Sequence, residues 1–167
     1  MVAWEEGYVI MEELQVRDIM TTEVVAVPAT TSVADVAILL HERQITGLPI
    51  VGGEGRVVGV VSEIDVLDRQ GATAGDIMTR EVISVAPETP LDDVVRLLTD
   101  RRIRRVPVLD GGRLVGLVSR ADLLRLFTRT RWTCERCGHF VRGLARPVRC
   151  DRCGAGQMVL QRDAHGY

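Results

Sequence analysis

The sequence predicts an α/β (α+β) protein: two β-α-β-β-α units related by a pseudo-twofold axis, followed by a small metal-bound β domain. Three observations lead there. Residues 18–67 align with residues 76–124 through one single-residue gap near Gly55, with close to half of the aligned positions identical. Within each copy, apolar residues recur at strand spacing and then at helix spacing. All four cysteines stand after the second copy, as two Cys-x-x-Cys pairs.

The chain has 167 residues and is 46% hydrophobic, enough for a core in one domain or in one domain with an appendage. No apolar run reaches the roughly 18 residues a membrane span needs, and no basic stretch followed by an apolar one opens the chain. The expectation is a cytoplasmic protein with no membrane partner. All 21 basic residues are Arg, which by itself identifies no partner. The net charge of −2 hides an asymmetry: residues 1–127 hold 13 Arg against 20 acids, whereas residues 128–167 hold 8 Arg against 3. Such a shift marks a boundary. The expected division is an extension at 1–10, a first unit at 11–70, a second at 71–127 and a metal domain at 128–167. Residues 1–10 match nothing later, so Met11 is a candidate start; alternatively, Trp4 and Tyr8 pack onto a neighbour.

Each copy opens with Asp-Ile-Met-Thr, at residues 18–21 and 76–79. In the second copy EVISV (81–85) alternates as a strand does. Thr89 and Pro90 then start a helix with Leu91, Val94, Leu97 and Leu98 on one face, opposite Asp92, Asp93 and Arg96. IRRVPVLD and RLVGLVS follow as strands joined at Asp110-Gly111-Gly112, a hairpin signal. Met20 and Met78 read as core filler. A unit of about 50 residues buries too little surface to stand alone, so the two copies should pack together.

Each copy ends on the same short phrase, GVVSEID (59–65) and GLVSRAD (116–122). Ser followed three residues later by an acid is a helix N-cap signature, and purely structural caps are one reading of Ser62, Asp65, Ser119 and Asp122. Capping does not account for Gly59 and Gly116. A glycine lets a ligand approach the backbone, while a Ser hydroxyl and the free N–H groups of a helix start can hold phosphate.

The Asp-Ile-Met-Thr openings, the strands carrying Pro49 and Pro107, and the repeated G-x-x-S-x-x-D phrase together resemble a tandem of CBS (cystathionine-β-synthase-type) domains, the Bateman module, over roughly residues 11–127. The resemblance implies an adenine nucleotide, or a related adenosyl ligand, bound between the copies. It implies phosphate contact by Ser62 and Ser119 and ribose contact by Asp65 and Asp122. Residues three and two places before the strand proline often contact phosphate in this family; here they are Arg104 and Arg105 in the second copy, but Thr46 and Gly47 in the first. Unequal sites are expected, with the cationic charge coming from the second copy. A cationic helix end is the structural alternative for these arginines. Family precedent also implies a homodimer.

Cys134-x2-Cys137 and Cys150-x2-Cys153 form two knuckles, each supplying two thiolates from a tight turn, with Gly138 and Gly154 directly after them. This spacing predicts a tetrahedral metal site rather than disulfides. His139 reads as a surface residue. The segment resembles a rubredoxin-like zinc ribbon through Trp132, the repeated CxxCG form and Pro147; Asp151 stands where that family usually has proline. Four thiolates accept zinc or iron, and zinc is the expected ion. The segment's few apolar residues imply that it needs metal to fold.

No catalytic constellation is visible, and the expectation is a non-catalytic sensor whose ribbon serves structure or docks a protein partner. Two alternatives remain: an iron-loaded ribbon carrying one electron under control of the repeat, or nucleic-acid binding through the ribbon arginines. Four thiolates and a divalent ion together add −2 to the ribbon, and few aromatics are available for stacking; both points weigh against nucleic acid.

Overall fold

The structure is a computed structural model and describes residues 14–144 and 146–162. The expected extension at 1–10 and the candidate start at Met11 lie outside the described residues.

The first copy opens with a 3-10 turn at Val16–Asp18, where Asp18 Oδ2 accepts from the Gln15 N–H at 2.8 Å. It continues through β1 (Val27–Pro28), α1 (Val33–Glu42), β2 (Gly47–Val51), β3 (Val57–Ser62) and α2 (Glu63–Asp68). β1 runs parallel to β2, as a helical crossover requires, and β2 pairs antiparallel with β3. Val36 and Leu40, one turn apart on α1, pack with Leu48 and Ile50 of β2 and Val61 of β3. Ala74, Ile77 and Met78 join the same core from α3 (Ala74–Ile77) and the residue after it. Met78 is thus core filler, as the sequence predicts.

The second copy continues with α4 (Leu91–Asp100), β4 (Arg105–Asp110), β5 (Arg113–Ser119) and α5 (Arg120–Arg129). α4 buries Leu91, Val94 and Leu98, with Leu97 half-buried, which confirms the predicted face. Pro90 precedes the helix as its N-cap. The β4–β5 hairpin turns on Gly111 and Gly112 at φ 55° and 82°, the doubly left-handed geometry of a two-residue loop. The predicted strand at 81–85 is corrected. It is a single parallel bridge between Val85 and Val108, because Ile83 and Ser84 face solvent and only Val85 meets a partner.

The compact units do not follow the linear repeat. One comprises residues 21–87 and 106–117; the other comprises the described residues through Met20, 88–105 and those from 118 onward. Inside the first unit the copies exchange partners reciprocally. Thr21 and Leu117 trade backbone hydrogen bonds of 2.9 Å each, and Val60 and Thr79 trade bonds of 3.0 and 2.9 Å. Each opening threonine therefore lies on the strand that leads into the other copy's serine.

In the second unit α5 passes without a linker into β6 (Thr130–Cys134), which pairs antiparallel with β7 (Phe140–Arg142) and β8 (Met158–Arg162) in the order β7-β6-β8. No helix among the described residues is long and apolar enough to cross a membrane.

Candidate functional site

At both corners the predicted Ser and Asp meet, and the carboxylate is the centre of each. Asp65 Oδ2 accepts from the Ser62 N–H at 2.8 Å and the Ser62 hydroxyl at 2.6 Å; Asp122 Oδ2 accepts the same pair from Ser119 at the same distances. Both aspartates are buried. Each Oδ2 closes a capping box, so only Oδ1 faces outward for other work. The preceding strands feed the same corners: the Glu63 N–H donates to Thr46 O at 3.2 Å, and the Arg120 N–H to Arg104 O at 3.0 Å. Arg104 is exposed and Arg105 half-buried.

The two corners differ in what meets Oδ1. At the first, Arg69 Nε lies 3.1 Å from Asp65 Oδ1 while its two terminal nitrogens donate to Ile77 O at 2.8 Å and Thr79 Oγ1 at 3.1 Å. That guanidinium closes the corner against the second copy's opening. Gly47 also carries no side chain for a steric reason, since a Cβ there would lie 2.8 Å from Val61 O. At the second corner, Arg125 approaches Asp122 Oδ1 at a looser 3.4 Å, and Leu126 stands at the repeat position of Arg69. Here Asp122 and Arg125 line a cavity of about 290 Å³ together with Asp18, Ile19, Arg129 and Thr130.

Gly59 has a packing reason of its own: a Cβ would lie 2.5 Å from Met78 Sδ. Gly116, its repeat partner, is buried.

The four cysteines form one cluster, with all sulfurs within 4.8 Å of one another. Cys134 and Cys153 are 3.6 Å apart and Cys137 and Cys150 3.7 Å apart, far beyond a disulfide bond. A tetrahedron of 2.3 Å metal–sulfur bonds has edges of about 3.8 Å, so the donor set fits one metal ion. The knuckles are twins. Gly138 N–H donates to Cys134 O and Gly154 N–H to Cys150 O, at 2.9 and 2.8 Å, and the two glycines take the predicted left-handed φ of 70° and 71°. Without metal the thiols diverge. Burial opposes ionisation of Cys134, but the Cys137 and Arg136 N–H groups bring its pKa down to about 7. For Cys137 the His139 N–H pulls downward, yet burial and the three neighbouring sulfurs raise it to about 12.

Three features escaped sequence reasoning. Arg69 closes the first corner through tertiary contacts that no motif encodes. His139 is half-buried, with Nε2 2.9 Å from Asp151 Oδ1, so the residue standing in place of proline ties one knuckle to the other. Ribbon arginines serve the ribbon itself: Arg131 lies over Phe140 and donates to Gln161, Arg146 lies over Trp132, and Arg142 donates to Thr128 O.

Two strand-to-helix corners, each closed by a Ser–Asp capping box, define a paired-repeat fold. The chain belongs to the CBS domain family, which matches at residues 16–71 and 74–129. It is 31% identical over 134 residues to the chloroplastic CBS domain-containing protein CBSX2 of Arabidopsis thaliana, covering 59% of this chain and 56% of that one. It is 34% identical over 116 residues to the L-aspartate semialdehyde sulfurtransferase of Methanocaldococcus jannaschii, covering 67% of this chain but 23% of the enzyme. The matches thus span about half or less of these relatives' own length. CBSX2 has been solved in complex with AMP, with a TM-score of 0.64 and 36% identity over 66% of this chain and 93% of that one. The CBS domain pair of protein MJ0100, solved with 5′-methylthioadenosine and S-adenosyl-L-methionine, gives a TM-score of 0.64 and 33% identity over 69% of this chain and 96% of that one.

Proposed function

We propose that the protein is a non-catalytic sensor that binds one adenine nucleotide, or a related adenosyl ligand, per chain at the Ser119–Asp122 corner. The observation that carries this reading is the difference between corners: Arg69 fills the first, whereas Asp122 opens on a cavity at the second. In this reading Asp122 Oδ1 receives the ribose hydroxyls, Ser119 and the first N–H groups of α5 face the phosphate, and Arg104 and Arg105 supply charge. Ser62, Asp65, Gly59 and Gly116 shape the paired corners. Solved relatives that hold AMP or S-adenosyl-L-methionine support the ligand class.

The working division is 11–70 and 71–127 for the repeat and 128–167 for the ribbon, which binds zinc through Cys134, Cys137, Cys150 and Cys153 and serves structure or partner docking. A second copy of this chain is the natural cover for the exposed apolar residues Ile64 and Leu67 on α2, and for Leu124 and Phe127 on α5.

Calorimetric titration with AMP, ADP, ATP and S-adenosylmethionine tests the reading on the native chain and on Asp122→Ala and Asp65→Ala. One ligand per chain, lost in Asp122→Ala and kept in Asp65→Ala, is expected. No heat from any ligand, or equal loss in both variants, overturns it.

A further inference from the structure

The ribbon shares its backbone with the helix that caps the second corner. α5 ends at Arg129 and β6 starts at Thr130, and three hydrogen bonds pin the joint. Thr130 Oγ1 donates to Leu126 O at 2.8 Å, Arg142 of β7 donates to Thr128 O, and the Gly143 N–H donates to Thr130 O at 3.4 Å. Thr130 is buried. Four residues beyond it along β6 is Cys134, a predicted metal ligand, so movement of the last turn of α5 is movement of the metal centre's own strand.

The cavity beside α5 touches both ends of this device. Asp122 lines it at the helix start and Thr130 at the joint, about 12 Å apart at 1.5 Å per residue. Between them Arg125 and Arg129 stand one turn apart and line the same cavity. Arg125 is held loosely by Asp122, and the Arg129 guanidinium has no hydrogen-bond or ion-pair partner among the described residues. A cation lining a cavity without a partner is suited to an anionic ligand group, and phosphate oxygens fit its planar fork.

We propose that this cavity takes the outer phosphates of a ligand whose first phosphate faces Ser119, gripped by Arg125 and Arg129, and that the grip is felt in the ribbon as a tighter hold on its metal. The proposal rests on the reading of that corner as a nucleotide site. A tail spanning the two arginines braces the last turn of α5, and through Thr130 and Arg142 the brace extends to β6 and β7. Coupling of this kind is reciprocal: metal must strengthen tail binding by the factor by which the tail strengthens metal binding.

The test uses the full zinc-loaded chain, with AMP and ATP as probes and zinc release into excess chelator as the readout. Saturating ATP should slow release about fivefold or more, the low end of ordinary coupling, and AMP should slow it less. Arg129→Ala should keep one zinc per chain, weaken ATP more than AMP, and abolish the slowing. Arg142→Ala, which removes the bond from β7 to Thr128 O and lies outside the cavity lining, should leave ATP bound with affinity lowered by no more than the coupling factor, while release becomes less sensitive to ATP. If calorimetry shows ATP bound but release is unchanged, or if Arg142→Ala is slowed as much as the native chain, the coupling is refuted while the nucleotide site stands. If no adenylate binds at all, the site and the coupling fall together.

Discussion

Gly59 has two explanations, close approach of a ligand and close packing of Met78, and Gly59→Ala separates them. A Cβ at this position would lie 2.5 Å from Met78 Sδ, 2.9 Å from its Cγ and 3.1 Å from its Cβ. Carbon contacts prefer about 3.5–4.0 Å. Rotating the flexible thioether relieves the first two contacts but leaves the third, because Met78 Cβ moves only with the backbone. That backbone is held: Thr79 trades two hydrogen bonds with Val60, and Met78 sits buried against Ile77 and Val61. Overpacking of this sort costs about 1–3 kcal/mol. Urea unfolding of the zinc-loaded chain, followed by far-UV circular dichroism, reads it directly. With a slope of about 2 kcal/mol per molar, a 2 kcal/mol loss lowers the midpoint by about 1 M. Adding Met78→Gly removes all three contacts, Cβ included, so the double variant should be less destabilised than the two single losses summed, by about 0.5–3 kcal/mol. A midpoint unchanged in Gly59→Ala, with adenylate affinity lost, would refute the packing account and return the glycine to the ligand.

Three further outcomes follow from the same geometry. Arg69→Ala removes the guanidinium that fills the first corner and should raise calorimetric stoichiometry from one adenylate per chain toward two; a value fixed at one would mean that Arg69 is not the plug. Chelation of the metal should unfold the ribbon and leave the repeat folded: the near-ultraviolet signal of Trp132, measured in a Trp4→Phe background, should collapse while helical circular dichroism persists, and joint loss of both would contradict independent folding. Zinc affinity should fall as pH is lowered from 8 to 6, since metal takes thiolates while the metal-free cluster holds its proton on Cys137, at about 12, and gains one on Cys134 below about 7. Competition titrations should show about a tenfold loss per pH unit for each proton displaced, and a flat profile would exclude thiolate ligation.

What could be read from the sequence was short-range chemistry. A Ser and an Asp three residues apart close a capping box through local geometry, and a CxxCG knuckle fixes its own turn, so both sites were legible at the level of single residues. The hairpin at Gly111 and Gly112 was legible for the same reason, because positive φ at two successive residues selects glycine. EVISV misled because alternation reports a period and says nothing about whether a neighbouring strand exists to bury against. Arg69 was invisible for a different reason: its partners Ile77 and Thr79 belong to the next copy's opening, and an exposed arginine at the end of a helix has no signature of where its fork will reach. The contact between His139 and Asp151 likewise required both knuckles to be folded before the departure from proline acquired a meaning.

The duplication supplies two capping boxes with matching serine-to-aspartate bonds, and selectivity between them depends on the oxygen the box leaves over. In the first copy a ligand hydroxyl that seeks Asp65 Oδ1 must displace Arg69 from the carboxylate, from Ile77 O and from Thr79 Oγ1 together. Three such bonds at about 0.5–1.5 kcal/mol each, lowered for partial exposure, amount to about 2 kcal/mol. In the second copy the competitor is one exposed ion pair, Arg125 with Asp122 at 3.4 Å, which is worth about 0–1 kcal/mol. The difference, about 1.5 kcal/mol, favours the second corner roughly tenfold before Arg104, Arg105 or Arg129 contributes anything. In the proposed reading, the difference between Leu126 and Arg69 at one repeat position separates a closed corner from a receptive one. The receptive corner is the one whose helix continues into the metal ribbon.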